Sequence, residues 1–300
     1  MHSTELDRSA GTDGATQTID TGRRDFVRAA AVGTGFAAAV TPVTAQTIRT
    51  DSAGLTVGEV TIVSGDFKMA AYREMPEGRA AADKLPVVLV VSEIFGVHEH
   101  IADVARRFAR LGYLAIAPEL FERQGDAQSY GEIDKLMSEV VSKVPDAQVM
   151  ADLDACVAWA AANGGDTGRL GITGFCWGGR IVWLYTAHQP KLKAGVAWYG
   201  RLSGAPSPLK PTNPIDLVRR LNAPVLGLYG AEDTGIPLAS VDEMKSALAG
   251  GNAAATRSQF VVYPGAPHAF HADYRPSYRK DAAEDSWKRC VAWFKANGVA

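Results

Sequence analysis

Apolar residues along the chain come in short blocks whose period changes from one block to the next. Residues 57–64 and 67–74 read as two short strands meeting at Gly65-Asp66, a two-residue hairpin signal. A polar, Gly/Ala-rich linker at 76–85 leads into 86–92, a continuous β-branched run of the kind found in strands buried on both faces. From 98 to 111 the period becomes helical, with Ile101, Val104, Ala105 and Phe108 on one face. Gly112 ends that helix, and 113–117 makes the next strand. A polar excursion at 119–147 contains a helix over 130–144, and a second helix runs over 147–162. Then follow strand 169–175, helix 180–188, strand 194–199 and a Pro-rich excursion at 201–221. Strand 223–229, helix 238–249, strand 259–263 and an amphipathic helix at 282–296, carrying Trp287, Val291 and Phe294, complete the chain.

Strands alternating with helices over most of the length predict the α/β class: a mostly parallel central sheet with helices on both faces. No internal repeat is visible, so the expectation is a single domain from about residue 50 to 298. With 47% hydrophobic and 21% charged residues and a formal net charge of -2, the composition is that of an ordinary globular protein. Nothing in it points to disorder or to a nucleic-acid partner. Three cysteines, Cys156, Cys176 and Cys290, are too few for a disulfide scaffold, and their odd number leaves a thiol free. Cys156 and Cys290 fall on helices expected to cover opposite faces of the sheet, so no bridge between them is expected.

The first 45 residues form a segment apart. Residues 1–22 are polar and aperiodic; Arg23-Arg24-Asp25-Phe26 follows, and then a weakly apolar stretch over 29–43. Paired arginines, an aromatic residue shortly after and a mild hydrophobic core resemble a twin-arginine export signal. Val43-Thr44-Ala45 offers a small-x-small cleavage site, which would start the mature chain at Gln46. The apolar stretch falls short of the roughly 18–20 residues a spanning helix needs. The expectation is a leader at 1–45 and a functional domain at 46–300. The chain would meet the export machinery of a bacterium and keep no stable membrane anchor after cleavage. It would then work in the periplasm or another exported location.

Chemistry concentrates at Gly174-Phe175-Cys176-Trp177-Gly178. An apolar run ends here on a thiol flanked by glycines, and a helix-compatible run follows: the G-x-C-x-G form of a nucleophile elbow. The turn is tight, so the positions two before and two after the nucleophile must be small, and Gly179 lets the helix pack close to the sheet. Cys176 would sit at a helix N-terminus, where unpaired N–H groups and the macrodipole favour negative charge.

In a parallel sheet the reactive groups belong at the carboxyl ends of strands, and three more loops there carry suitable residues. Glu232 and Asp233 follow strand 223–229; Asp233 is preferred as the acid because its place in the loop suits the role. His268 follows strand 259–263 in a tight turn and is preferred over His271 as the base. Nucleophile, acid and histidine then occur in α/β-hydrolase order, with His268 taking the Cys176 proton and Asp233 fixing the imidazole tautomer. The loop after strand 87–91, Ser92-Glu93-Ile94-Phe95-Gly96, occupies the place that supplies an oxyanion-hole donor, which nominates the N–H groups of Ile94 and Trp177. Glu93 at the end of a buried strand needs a partner or a proton. A metal site from His98, His100, His268 and His271 finds no ligand-spacing motif, and no cofactor is expected.

Together these residues resemble the dienelactone hydrolase (carboxymethylenebutenolidase) family over roughly 55–298. The resemblance rests on the cysteine elbow, Glu93-Ile94-Phe95-Gly96, Glu119-Leu120-Phe121-Glu122-Arg123, and the Glu-Asp and Pro-His-Ala-Phe loops. It implies an α/β-hydrolase fold, a Cys176-His268-Asp233 triad, a Glu93 that contacts the thiol and switches it on when substrate arrives, and an Arg123 that pairs with a substrate carboxylate. Phe95, Tyr199 and Arg275 are the further candidates for substrate contact. The best-known members place a second arginine four residues after the histidine, where this chain has Ala272. Trp177 and Trp198 would favour a different or larger acyl group. The expected activity is hydrolysis of a lactone or small ester. The alternatives are a general carboxylesterase or thioesterase on the same machinery and a non-enzymatic periplasmic thiol sensor or binding protein.

Overall fold

The computed structural model describes residues 48–79 and 83–300. The leader, its cleavage point and residues 80–82 of the linker lie outside the described residues. Eight strands form one sheet: β1 (Leu55–Ser64), β2 (Phe67–Pro76), β3 (Leu85–Val91), β4 (Leu114–Pro118), β5 (Gly165–Phe175), β6 (Leu192–Trp198), β7 (Val225–Gly230) and β8 (Gln259–Tyr263). Their order is β1-β2-β4-β3-β5-β6-β7-β8. The β1–β2 hairpin closes with Ser64 opposite Phe67, and Gly65 takes the left-handed φ of 61° that the two-residue turn demands. β2 pairs antiparallel with β4, and every pairing from β4 to β8 is parallel.

The helices are α1 (Glu99–Arg110), α2 (Ile133–Glu139), α3 (Asp146–Ala162), α4 (Trp177–His188), α5 (Leu238–Ala249), α6 (Ala253–Thr256) and α7 (Lys280–Ala296). β3→β4 steps one way along the sheet while β4→β5 and β5→β6 step the other way. Right-handed crossovers therefore put α1 on one face and α3 and α4 on the opposite face. α7 returns to the α1 face, where Phe108 meets Trp287 at 4.8 Å and Phe294 at 5.8 Å. Cys156 on α3 and Cys290 on α7 thus have the sheet between them, and both are free and buried.

The continuous apolar run of β3 occupies the sheet interior, with Val87, Val88, Leu89, Val90 and Val91 all fully buried. At roughly 1.5–3 kcal/mol per side chain, this one strand stabilises the fold by about as much as a whole domain's net stability. The expected apolar face of α1 is buried as read, Ile101, Val104, Ala105 and Phe108 included.

Three local readings differ. The helix expected over 130–144 is only Ile133–Glu139, followed by a 3-10 turn at Val141–Lys143. The break is at Val140, whose φ of −121° and ψ of −69° leave the helical region. The helix after the elbow starts directly at Trp177, so the glycines form its first turn. On α7 the buried face is Ala283, Ser286, Cys290 and Phe294, with Trp287 and Val291 half-buried on its flank. Among the described residues no helix is long and apolar enough to cross a membrane.

Candidate active site

Strand register brings the chemistry-bearing loops to one edge. Val91 pairs with Gly174, Phe175 with Trp198, Trp198 with Leu228, and Gly230 with Tyr263, so β3, β5, β6, β7 and β8 end level with one another. Glu93, Cys176, Tyr199, Asp233 and His268 each lie within five residues of those ends.

The elbow is held by backbone-to-backbone contact. A Cβ at Gly174 would meet the Gly178 carbonyl oxygen at 2.4 Å, and one at Gly178 would meet the Val91 oxygen at 2.4 Å. Only hydrogen fits at either position, which is the physical content of the glycine spacing. Cys176 itself adopts φ 55° and ψ −112°, and its N–H donates to the Trp198 carbonyl at 3.0 Å. Among the described residues four non-glycines have positive φ, and three of them are here: Cys176 (55°), Tyr199 (38°) and Ala269 (60°), next to His268. Such conformations cost on the order of 1–3 kcal/mol each and gather where the surrounding fold enforces them.

Asp233 is buried and bound on both oxygens. Oδ1 accepts from the N–H groups of Gly235 (2.9 Å) and Ile236 (3.1 Å), and Oδ2 meets His268 Nδ1 at 2.7 Å. Glu232, the competing acid, is exposed. The acid and histidine loops are fastened together where the Glu232 N–H donates to the Ala266 carbonyl at 3.0 Å. Burial disfavours a charged His268, but the Asp233 hydrogen bond, then the Cys176 sulfur beside the ring, outweigh it and raise His268 to about 10. His271, the competing histidine, is buried against Phe175 and Trp198, with ring distances of 5.3 and 4.4 Å. Burial, with the nearby His100 and Arg107, pushes its proton affinity well below the ordinary value. His271 therefore belongs to the packed interior and faces neither Asp233 nor the thiol through any hydrogen bond.

Neither the Ile94 N–H nor the Trp177 N–H donates to any described residue, and both residues are half-buried. The contact of Gly178 with the Val91 and Ser92 carbonyls brings the start of α4 against the loop carrying Ile94. Both N–H groups therefore lie on adjoining segments, an arrangement in which backbone donors can hold an oxyanion.

Glu93 has partners other than the thiol. Its Oε2 faces His98 Nε2 at 2.8 Å and accepts from the Tyr274 hydroxyl at 3.2 Å, while Oε1 is buried without a hydrogen-bond partner among the described residues. Burial pushes its proton affinity up, but the hydrogen bond and charge of His98, helped by His100 and Arg275, hold it down to about 2.

Arg123 is not brought into this cluster. Its guanidinium donates to Asp152 at 2.5 Å and to the Ser64 carbonyl at 3.1 Å, and it lies 4.4 Å from the Phe67 ring centroid. The hairpin tip and α3 thus occupy the arginine that the family pattern assigns to a substrate carboxylate. Arg275 does arrive: it lies 5.3 Å from the Phe95 ring centroid and 5.9 Å from that of Tyr274, with its charge felt by Glu93 and Tyr199. Tyr199 is fully buried, its ring 5.1 Å from that of His268, and its hydroxyl has no hydrogen-bond partner among the described residues. Trp177 packs on Phe121 at 4.7 Å, whereas Trp198 is turned into the core, where it stacks on Phe175 and donates to Thr173 Oγ1 at 2.9 Å. Trp198 therefore does not shape an acyl pocket. Among the described residues no group of three or more His, Cys, Asp or Glu is arranged to hold a metal ion.

Tyr274 escaped the sequence reading, since a lone tyrosine in a loop carries no spacing signal. The sequence marks His98 as a candidate metal ligand and nothing more. Its position five residues after Glu93 was the available clue.

The sequence profile of the dienelactone hydrolase family matches residues 69–298. A carboxymethylenebutenolidase-like protein of Methylorubrum extorquens is 60% identical over 279 residues, covering 92% of this chain and 94% of its own length. One from Escherichia coli K12 is 52% identical over 264 residues, covering 88% of this chain and 96% of its own. The crystal structure of a dienelactone hydrolase-type protein from Klebsiella pneumoniae superposes with a TM-score of 0.77 at 56% identity, over 80% of this chain and 98% of that one.

Proposed function

The chain belongs to the dienelactone hydrolase family, hydrolases of esters and lactones, and from that premise we propose that it works through a cysteine acyl-enzyme with Cys176, His268 and Asp233 as triad. The observation that carries this is the convergence of a strained Cys176 on a His268 whose far nitrogen is fixed by Asp233 at 2.7 Å. His268 holds the Cys176 proton as an ion pair, and the thiolate attacks the carbonyl carbon, forming a C–S bond while the carbonyl oxygen takes the negative charge. The N–H groups of Ile94 and Trp177 hold that oxygen. Collapse breaks the C–O bond, and the departing oxygen takes the proton from His268. In a lactone the new hydroxyl stays attached to the acyl chain. Water then attacks the thioester with His268 as base, releasing the carboxylic acid and the free thiol.

Arg275, Phe95 and Tyr199 are the substrate-contacting residues of this reading, and Arg123 is a structural clamp. The geometry favours a lactone or small ester over a general thiol sensor, because a sensor has no need of the acid, the base or the paired N–H donors. The same proposal takes residues 1–45 as a twin-arginine leader and residues 46–300 as the exported hydrolase. Incubation with an activated aryl ester, followed by intact mass measurement, tests the central claim. A transient acyl adduct is expected on Cys176, lost together with turnover in Cys176→Ala; esterase activity unchanged in that variant would sink it.

A further inference from the structure

Buried groups crowd the Glu93 carboxylate from several elements. His98 comes from its own loop, His100 from the first turn of α1, and Tyr274 and Arg275 from the loop after the histidine. Tyr199 at the end of β6 feels its charge, as does Tyr274. His98 and Glu93 are both essentially without solvent contact, at 0% and 1% exposed. The His98 ring is also wedged, 4.8 Å from Tyr274 edge-on and 6.1 Å from His100 in a stack. His100 is in turn anchored at 3.1 Å to Asp273, which also accepts from Arg107 and the Ile48 N–H. The ring that faces Glu93 therefore has little room to turn away. Among the described residues neither Glu93 oxygen is hydrogen-bonded to the Cys176 thiol.

We propose that His98, with Tyr274, is a positioning residue that locks Glu93 as an oriented carboxylate beside the site, held off the thiol. A buried carboxylate with a ring nitrogen and a hydroxyl both hydrogen-bonded to one oxygen stays ionised, and one deprived of the ring takes up a proton. His98 thus does for Glu93 what Asp233 does for His268: it fixes both protonation and orientation. Glu93 then serves as a negative wall of the site beside Arg275. The consequence for mechanism rests on Cys176 being the nucleophile; the state of Glu93 does not.

Infrared spectra of the full-length enzyme test the lock directly. Subtracting Glu93→Gln from wild type is expected to show no protonated-carboxyl band between roughly pH 5 and 8, since Glu93 is ionised throughout. In His98→Phe, which keeps an aromatic ring and removes the donor, a band should appear that is absent from the same variant carrying Glu93→Gln. Its titration should lie roughly 3 units or more above that of wild type. The pH profile of Cys176 alkylation by iodoacetamide should gain a second step at the same pH, which a merely structural role would not produce. If His98→Phe does not fold, Tyr274→Phe removes the weaker donor and should move both readouts in the same direction by less. A Glu93 band in the neutral wild type, or an unaltered Glu93 in His98→Phe, overturns the proposal. Activity surviving Cys176→Ala would instead defeat the acyl-enzyme reading and leave the infrared result standing.

Discussion

Asp233→Asn changes one group and, through it, the proton that the reaction needs. Asp233 Oδ1 is fixed by two backbone N–H donors at 2.9 and 3.1 Å, so an asparagine is expected to keep its carbonyl oxygen there. The amide nitrogen then falls where Oδ2 now meets His268 Nδ1 at 2.7 Å. An NH₂ group donates, so Nδ1 must accept and the ring proton moves to Nε2, the nitrogen left to face the thiol. That tautomer cannot take the Cys176 proton. Turnover is expected to fall on the order of 10²- to 10⁴-fold, about 3–5 kcal/mol of transition-state stabilisation.

His268 is raised from 6.5 to about 10, and after the opposing effect of burial Asp233 is the first cause. A carboxylate this close shifts a cation by roughly 1–3 units, and with 35% of the His268 side chain exposed, solvent screening argues for the middle of that range. The upper limb of the kcat/KM profile should therefore move down by ~2 units in Asp233→Asn. Because the folded value lies above the unfolded one, the stability that His268 contributes is complete below about pH 6.5 and lost as the pH rises toward 10. The variant should lose little over that interval. The assay is kcat/KM on an aryl ester across pH, with thermal unfolding over the same range. A fall in turnover under tenfold with the upper limb in place would mean that Asp233 merely closes a turn.

The two arginines should part company. Arg123→Ala is expected to cost ~2 kcal/mol of stability, by stranding the buried Asp152, and to change kcat/KM less than about threefold. Arg275→Ala should leave the melting temperature in place yet lower kcat/KM for a carboxylate-bearing lactone about tenfold relative to a neutral ester; the reverse pattern would restore Arg123 as the substrate contact. For export, replacing Arg23 and Arg24 by lysine should keep full-length precursor in the cytoplasm. Periplasmic protein beginning near Gln46 from that double variant would rule out the twin-arginine route.

Much of the fold was legible because its strongest signals are local. The β-branched run of β3, the helical period of α1 and the glycine spacing at the elbow each depend on neighbours in sequence. Asp233 and His268 were legible too, since a parallel sheet puts the residues just past β7 and β8 at one edge whatever else the chain does. The order of the outer strands was not, because β2 pairing with β4 rather than β3 leaves no mark in either segment. Arg123 and Arg275 show the same limit within the site. The motif places Arg123 in the right loop, but its direction is decided by Asp152, 29 residues away, and by the hairpin tip at Ser64. Arg275 enters only because the chain after His268 folds back, with Arg279 N–H donating to the Phe270 carbonyl at 2.9 Å.

The site also conflicts with the rest of the fold in a way that bears on what it does. Positive φ at Cys176, Tyr199 and Ala269 costs on the order of 1–3 kcal/mol each. A buried Tyr199 hydroxyl and a buried Glu93 oxygen without partners add roughly 1–3 kcal/mol apiece. A chain selected for stability alone would relax all five, and the flanking strands, buried along β3, β5, β6 and β7, show that it has the packing to do so. The penalties instead cluster around one thiol and are offset by a core that contributes nothing to chemistry. They also adjoin one another: Tyr199, Glu93 and Arg275 come from three separate loops, and the charges of Glu93, Arg275 and Cys176 are all felt at the Tyr199 hydroxyl. An ester or lactone offers its carbonyl and alkoxy oxygens as acceptors, either of which could pair with the Tyr199 hydroxyl on binding. On that ground the strained geometry suits an oxygen-bearing acyl substrate, in keeping with a family that hydrolyses esters and lactones.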